Sequence, residues 1–160
     1  ALPAVTYLSI GGMPVGDAGA SALAVALGQG ALPRLKRLSL HNTAIGDAGL
    51  VAVALALRRR PALESLYLAG NPFGDEGLAA LVAPPPALTS AAAVLTKLQE
   101  LDLIGTQVTD AGCAALVAAL DSGVVPALKS FVNTTGALSA AEAAVGEALA
   151  KRDPHYQRLW

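Results

Sequence analysis

The sequence predicts an α/β solenoid, in which strand–loop–helix units stack side by side and share one core. A phrase of the form LxxLxLxx(N/T)x(I/V/F)GDxGxxxLxxxL recurs with starts at Val5, Leu35, Leu63 and Leu98, and a divergent fifth copy starts at Leu128. The first four starts are 30, 28 and 35 residues apart. Repetition at a period of roughly 20–50 residues is the signature of a solenoid, because one unit cannot bury its apolar face alone.

The first half of each unit predicts a short strand. Leu38 and Leu40 flank Ser39 in the second unit, and the third and fourth units repeat this apolar–polar–apolar alternation. A period of two is typical of a strand that buries one face. We therefore expect about five strands, one in each unit.

The second half predicts a helix that starts at the aspartate of each GD or TD pair. These aspartates stand where an N-cap is expected, accepting hydrogen bonds from free backbone N–H groups: Asp17, Asp47, Asp75 and Asp110. Apolar residues four apart then share one helical face, in the pairs Leu23 and Leu27, Val53 and Leu57, and Leu116 and Leu120.

A glycine follows each aspartate by two residues, at positions 19, 49, 77 and 112. Glycine in a helix costs about 1 kcal/mol relative to alanine. Helix propensity therefore does not explain these glycines, and we interpret them as sites of tight packing.

The third and fifth units depart from the pattern. Pro84–Pro86 lack backbone N–H groups and clash with a preceding turn, so we expect the third helix to end early. A longer loop over residues 83–96 follows, with a short helix expected through Ala91–Leu95. The fifth unit lacks GDxG and places Asn133 where a core leucine belongs, so residues 128–160 are interpreted as a terminal cap.

These units resemble leucine-rich repeats of the ribonuclease-inhibitor type, whose long repeat contains a true helix. The resemblance extends from about Leu2 to about Leu149. It implies a horseshoe with a parallel sheet on its concave face and helices on its convex face. It also implies a protein partner bound on the concave face, although this repeat class serves inhibitors, innate sensors, GTPase activators and assembly factors alike.

One position in the turn of each unit departs from this family. The family often has asparagine or cysteine there to satisfy backbone groups, and only the third unit does so. The residues at this position are Met13, Thr43, Asn71, Thr106 and Gly136. We expect the two threonines to offer their hydroxyl groups in place of an amide.

Composition excludes several classes of function. The 160 residues fit one domain, and a net charge of −1 from 11 basic and 12 acidic residues gives no signature of nucleic-acid or anionic-membrane binding. No apolar run reaches the roughly 18 residues that a membrane span requires. The single cysteine, Cys113, argues against a disulfide framework and for a reducing compartment, so we expect a cytoplasmic protein.

The one basic run, Arg58–Arg60, lies at the end of the second helix. Cations at that end complement the helix dipole, and we interpret the run in this way. A contact with an acidic partner is the alternative.

Motifs for catalysis, metal or cofactor binding are not found. The sequence has no GxGxxG, P-loop, HExxH or CxxC, and His41 and His155 share no ligand spacing. Cys113 is interpreted as a small core residue, and the recurring GD pairs as structural caps rather than paired acids. We expect neither an enzyme nor a cofactor.

The polar residues between the strand leucines form the predicted binding surface. In the family these positions line the concave face, and here they are Tyr7, Ser9, Arg37, Ser39, His41, Ser65, Tyr67, Glu100, Asp102, Ser130 and Val132. Basic residues fall on the second unit and acidic residues on the fourth, about 10 Å away if strands are about 4.8 Å apart. A partner with a complementary dipolar surface would fit. The alternative is an ordinary solvated sheet face.

Three functions are consistent with these observations. The first is a non-catalytic protein-interaction module of a larger eukaryotic cytoplasmic protein. The second is a GTPase regulator that resembles the Ran GTPase-activating proteins, and the third is a sensor fragment of a nucleotide-binding leucine-rich receptor. Because Ala1–Val5 matches the junction Ala31–Leu35, we expect flanking repeats or a neighbouring subunit to cover the first unit's edge.

Overall fold

Five strands alternate with five helices in the computed structural model, which describes residues 4–60, 62–83, 95–133 and 139–153. The elements are β1 (Tyr7–Ser9), α1 (Gly16–Gly28), β2 (Arg37–Ser39), α2 (Asp47–Leu57), β3 (Ser65–Tyr67), α3 (Asp75–Val82), β4 (Glu100–Asp102), α4 (Asp110–Asp121), β5 (Ser130–Val132) and α5 (Ala140–Arg152). The strands form one parallel sheet in the order β1-β2-β3-β4-β5. The predicted α/β solenoid, with its sheet on the concave face and its helices on the convex face, is confirmed.

The third helix is short, as the prolines predicted. Helix α3 ends at Val82 after 8 residues, whereas α1 extends over 13. The short helix predicted over residues 91–95, most of the loop over 83–96, and His155 lie outside the described residues. Residues 154–160 of the predicted cap also lie outside them.

The core is a ladder of equivalent leucines held in register by the sheet. Leu38, Leu66 and Leu101 stand directly opposite one another, and each is at most 2% exposed. The ladder continues to Leu8 on β1 and to Phe131 on β5. That a further repeat or subunit covers the β1 edge stays a prediction.

The helical pairs predicted from the four-residue spacing close this core from the other side. Val53, Leu57, Leu116 and Leu120 are at most 1% exposed. In α1, Leu27 is fully buried and Leu23 is partly buried against the core. The predicted buried face is therefore confirmed in α2 and α4, and it is less complete in α1.

Asn71 joins the second and third units by hydrogen bonds inside the core, where it is 1% exposed. Its Oδ1 accepts from the backbone N–H groups of Thr43 at 3.1 Å and Ile45 at 3.0 Å. Its Nδ2 donates to the carbonyls of Leu40 at 2.7 Å and Leu68 at 2.8 Å. One side chain therefore satisfies buried backbone groups of two adjacent units.

The two threonines at the equivalent turn position use their hydroxyl groups, as predicted. Thr43 Oγ1 donates to the Leu40 carbonyl at 2.7 Å, and Thr106 Oγ1 donates to the Leu103 carbonyl at 2.8 Å. Both side chains are buried. Each hydroxyl donates to a carbonyl three residues earlier in its own unit. It therefore satisfies fewer backbone groups than the Asn71 amide does.

Asp17, Asp47 and Asp75 cap the helix of the following unit rather than their own, so the N-cap prediction was wrong about the helix served. Asp47, Asp75 and Asp110 are the first residues of their helices, and Asp17 is the second residue of α1. Asp17 Oδ1 accepts from the backbone N–H groups of Gly46 at 2.7 Å and Gly49 at 3.0 Å, at the start of α2.

The same contact recurs at the next two junctions. Asp47 Oδ1 accepts from the backbone N–H groups of Gly74 at 3.0 Å and Gly77 at 2.7 Å. Asp75 accepts from the backbone N–H of Thr109 at 2.8 Å and from its hydroxyl at 2.6 Å. Each of these carboxylates thus crosses the junction between units to unpaired N–H groups at the start of the adjacent helix.

The glycines after the aspartates leave room for these carboxylates. A Cβ atom on Gly49 would lie 2.5 Å from Asp17 Oδ1, and one on Gly77 would lie 3.0 Å from Asp47 Oδ1. The backbone N–H of each of these glycines is also a donor to that carboxylate. The predicted tight packing is confirmed, and the capping aspartate of the preceding unit is among the close neighbours of Gly49, Gly77 and Gly112, whereas a Cβ on Gly19 would meet Val15.

Helix α5 begins differently, because the fifth unit lacks GDxG. Ser139 caps it with a capping box: its hydroxyl accepts from the backbone N–H of Glu142 at 3.1 Å, and Glu142 Oε2 accepts from the backbone N–H of Ser139 at 3.0 Å. The start of this helix is therefore satisfied within its own unit.

The basic run also acts on neighbouring helices rather than on its own. Arg58, the C-cap of α2, donates to the Ala83 carbonyl at 2.6 Å, just after the last residue of α3. Arg60 donates to the Leu27 carbonyl in the last turn of α1. The interpretation as cations at helix C-termini is correct, but the termini belong to the adjacent units.

We expect the domain to lose stability in acid as Asp75 takes up a proton. Burial alone would raise the pKa of this carboxyl, but the hydrogen bonds from Thr109 and from the Gly112 backbone hold that pKa below its ordinary value of 3.8. Because this pKa is lower in the folded than in the unfolded state, the ionised carboxylate stabilises the fold at pH values above the unfolded-state pKa. That stabilisation is lost as the pH falls through the folded value.

Urea unfolding at a series of pH values tests this prediction. Asp75→Asn should make the unfolding free energy less dependent on pH at and below about pH 4. Asp121→Asn, which removes an exposed carboxylate at the end of α4, is the control and should keep the wild-type profile. An acid profile unchanged in Asp75→Asn would contradict the assignment.

Candidate functional site

The sheet displays the predicted surface residues in two rows across its strands. The first row consists of Tyr7, Arg37, Ser65, Glu100 and Ser130, and the second of Ser9, Ser39, Tyr67, Asp102 and Val132. His41 follows β2, two residues after Ser39. The register thus brings all the predicted residues onto one face of the molecule.

These residues differ widely in exposure. Tyr7, at 56%, is the most exposed aromatic on this face, and Ser9, Arg37 and Glu100 are also exposed. The partly buried members are His41, Tyr67, Asp102, Ser130 and Val132. Ser39 and Ser65 are each only 4% exposed, so they contribute little surface to a partner. Ser39 Oγ instead lies 2.7 Å from His41 Nδ1 in a hydrogen bond that supports the histidine ring.

A recess of about 540 Å³ opens between β1, β2 and β3. Its lining consists of Thr6, Tyr7, Lys36, Arg37, Glu64 and Tyr67. Lys36 Nζ lies 3.1 Å from Glu64 Oε1, so these two charges form an ion pair at the rim. Sequence reasoning did not include Glu64 in the site. The signal was available, because Lys36 and Glu64 follow the first leucine of consecutive units and carry opposite charges.

Tyr67 is held in place by a hydrogen bond to an acidic residue of the neighbouring strand. Its hydroxyl donates to Glu100 Oε2 at 2.5 Å, linking β3 to β4. This hydrogen bond and burial raise the pKa of Tyr67, while the nearby Arg37 guanidinium lowers it by a smaller amount. The ring therefore stands in a defined position between the basic and the acidic groups.

The basic and acidic groups occupy different strands, as predicted. Arg37 on β2 and Glu100 on β4 belong to the same row and are separated by Ser65 on β3. Two strand spacings put them about 10 Å apart. In the part of the chain that the structure describes, the Arg37 guanidinium has neither an ion-pair nor a hydrogen-bond partner.

A second recess, of about 330 Å³, lies at the start of α4 and α5. Asn133, at 5% exposure, donates from Nδ2 to Glu142 Oε1 at 3.3 Å, and its buried Oδ1 has no hydrogen-bond partner among the described residues. Cys113 lies beside it, with Sγ 3.8 Å from Nδ2. Asn133 therefore does occupy a core position, as predicted, and Cys113 is a buried core residue at 1% exposure.

Cys113 should be unreactive in the folded protein. Burial, and then the negative charge of Glu142, raise the pKa of this thiol to about 11, so almost none of it is thiolate at neutral pH. We expect iodoacetamide to alkylate it at least roughly a hundredfold more slowly in the native chain than in urea, because each pKa unit lowers the thiolate fraction tenfold. Mass spectrometry of the alkylated fraction over time measures this ratio, and equal rates in the two states would contradict it.

Residues 4–60, 62–83, 95–133 and 139–153 contain neither a metal-binding cluster nor a membrane-spanning helix. No group of three or more histidine, cysteine, aspartate or glutamate side chains in these ranges could hold a metal ion. None of the helices described is long and apolar enough to cross a membrane.

Comparison with known families agrees with this architecture. The family model described as "Leucine Rich repeat" matches residues 32–54, 61–82 and 94–117, which contain the strand, the turn and most or all of the helix of the three central units. The chain is a leucine-rich-repeat protein. Its long repeat with a true α-helix places it with the ribonuclease-inhibitor type. No curated protein matches the sequence.

Solved structures share the fold. One, titled "Leiomodin-1 Actin-Binding Site 2 (ABS2)", superposes with a TM-score of 0.72 at 18% identity, covering 94% of this chain and 82% of that one. Another, the tropomodulin C-terminal domain from Caenorhabditis elegans, gives a TM-score of 0.69 at 20% identity, covering 94% of this chain and 85% of that one. At this level of identity the likeness extends to the fold alone.

Proposed function

We propose that this chain is a non-catalytic protein-binding module and that it binds its partner on the concave face. The observation that carries the proposal is the arrangement of exposed aromatic and charged side chains in fixed register on that face. Tyr7 and Arg37 stand opposite each other, and Glu100 lies two strands further on in the same row. Tyrosine and arginine are the residue types that carry much of the binding energy at interfaces.

The rigidity of the sheet supports the same proposal. The three central strands are anchored by Leu38, Leu66 and Leu101, each at most 2% exposed. Tyr67 is further held by Glu100, and His41 by Ser39. A surface already held in its binding conformation loses little conformational entropy when a partner docks.

Actin is the first partner that we propose to test, because one of the similar structures is titled as an actin-binding site. We also propose that the protein works in the reducing cytoplasm of a eukaryotic cell. The buried thiol of Cys113 is the single cysteine of the chain, and it has no partner in the chain for a disulfide.

The experiment compares two double variants as bait. Tyr7→Ser with Arg37→Gln removes two exposed side chains from the concave face, whereas Val25→Ser with Leu55→Ser removes two exposed apolar side chains from α1 and α2. Each purified 160-residue chain is immobilised, incubated with a eukaryotic cell extract, and analysed by quantitative mass spectrometry. Purified monomeric actin is titrated against the same chains in parallel.

The expected result is a protein captured by the wild type and by the helix-face variant but lost from the concave variant. Capture lost only from the helix-face variant would overturn the assignment of the concave face. Capture of no protein above the level of an unrelated bait would overturn the binding module itself. Failure of the actin titration alone would exclude actin and leave the module in place.

A further inference from the structure

We propose that the recess around Arg37 receives an aspartate or glutamate side chain from an extended acidic segment of the partner. This inference rests on the proposed function, and it specifies the chemistry of the partner at one point of the concave face. The recess lies between β1, β2 and β3, and two tyrosines line it together with Arg37.

The charges of the lining leave one cation without a partner. Lys36 and Glu64 neutralise each other at 3.1 Å. Arg37 is exposed and, among the described residues, its guanidinium has no ion-pair or hydrogen-bond partner. A guanidinium presents a planar set of N–H donors that matches the two oxygens of a carboxylate. The recess therefore carries one net positive charge at a group suited to bind a carboxylate.

The aromatic side chains make this cation a better site than an isolated surface arginine. Tyr7 stands directly opposite Arg37 on β1, and Tyr67 approaches from β3. The Tyr67 hydroxyl donates to Glu100, which holds that ring at the edge of the recess. A carboxylate bound between the two rings would contact less water than one at an isolated arginine, and less water strengthens its attraction to the guanidinium.

The same lining argues against other occupants. A basic side chain would meet both Lys36 and Arg37. A phosphate group carries nearly two negative charges, whereas the lining carries one net positive charge. A single carboxylate matches that net charge.

The test uses the isotope-labelled 160-residue chain and four blocked peptides: hexaglutamate, hexaglutamine, hexalysine and a glycine-rich hexapeptide with one phosphoserine. NMR titration follows the Arg37 side-chain Nε–Hε signal and the backbone signals around Tyr7 and Tyr67. We expect hexaglutamate to give saturable shifts at these residues, and hexaglutamine and hexalysine to give none there.

Two charge-matched variants identify the site. Arg37→Gln should weaken hexaglutamate binding by roughly tenfold, which corresponds to the loss of a charge-assisted hydrogen-bonded pair. Arg59→Gln removes the same charge from an exposed position after α2 and should change the affinity less than about twofold. Circular dichroism spectra of both variants should match the wild type.

Four outcomes would overturn the inference: no saturable shift at millimolar hexaglutamate, equal losses in both variants, shifts centred away from Arg37, or tighter binding of the phosphoserine peptide. Suppose that one of these outcomes is observed, but that the concave double variant still loses a partner that the wild type captures. The binding module would then stand, and only the acidic-segment assignment would be overturned. If hexaglutamate bound at Arg37 but no partner were captured, the acidic-segment site would stand and the binding module would be overturned.

Discussion

Replacing Asn71 with alanine should lower the free energy of unfolding by about 3–5 kcal/mol. The substitution leaves the backbone N–H groups of Thr43 and Ile45 and the carbonyls of Leu40 and Leu68 without the partners that the amide supplies. An unsatisfied buried polar group costs about 1–3 kcal/mol, and some of this cost is recovered if water enters the space. Urea unfolding followed by far-UV circular dichroism measures the loss.

Two further variants separate hydrogen bonding from volume. Asn71→Leu fills the space with apolar atoms but supplies neither donor nor acceptor, so it should be destabilised about as much as Asn71→Ala. Gln107→Ala removes an exposed amide from a nearby loop and should change the stability by less than about 0.5 kcal/mol. A leucine variant of near wild-type stability would show that the cavity, and not the hydrogen bonds, explains the effect.

Replacing Gly49 with alanine should destabilise the protein by about 2–4 kcal/mol, although helix propensity alone favours alanine by about 1 kcal/mol. The new Cβ would lie 2.5 Å from Asp17 Oδ1, 2.9 Å from Asp17 Cα and 3.0 Å from Ile45 Cγ2. Backbone atoms cannot move aside cheaply, so the two helices must separate. The Asp17 carboxylate then loses its hydrogen bonds to Gly46 and Gly49.

Gly28→Ala is the matched control, because the same substitution meets different surroundings. Gly28 is the last residue of α1, and a Cβ there would meet nothing within 4 Å. We expect it to be neutral or to stabilise by up to about 1 kcal/mol. Asp17→Ala removes the obstructing carboxylate, so Gly49→Ala should cost less in that background. Additive effects of the two substitutions would contradict the proposed clash.

The fold follows from the sequence wherever a unit obeys its own local rules. The period-two leucines predict the strands, the four-residue spacing of Val53 and Leu57 predicts the buried helical face, and Pro84–Pro86 predict the early end of α3. The aspartates were assigned to the wrong helices because capping preferences describe a single helix. The helix that Asp17 serves begins 30 residues later, and only the stacking of units brings it within 2.7 Å.

Local sequence rules also predicted which residues make up the candidate site, but not how exposed each of them is. Alternation within a strand predicts which residues share the concave face, and the register confirms that they do. Exposure depends on the size of the side chains on neighbouring strands, so the burial of Ser39 and Ser65 could not be predicted from alternation. The pairing of Lys36 with Glu64 could have been predicted, since it requires only that equivalent positions of consecutive units be compared.

The capping contacts of the aspartates all run in one direction along the chain, from an earlier unit to the helix of the next. Each of Asp17, Asp47 and Asp75 lies in the unit before the helix that it caps, whereas α5 is capped by Ser139 within its own unit. Deleting a unit from the amino-terminal side removes a cap from the helix that remains, while deleting one from the carboxyl-terminal side leaves the earlier caps in place. During translation, the carboxylates of Asp17, Asp47 and Asp75 are each synthesised before the helix that they cap, so α2, α3 and α4 can each form against a unit whose capping group is already present.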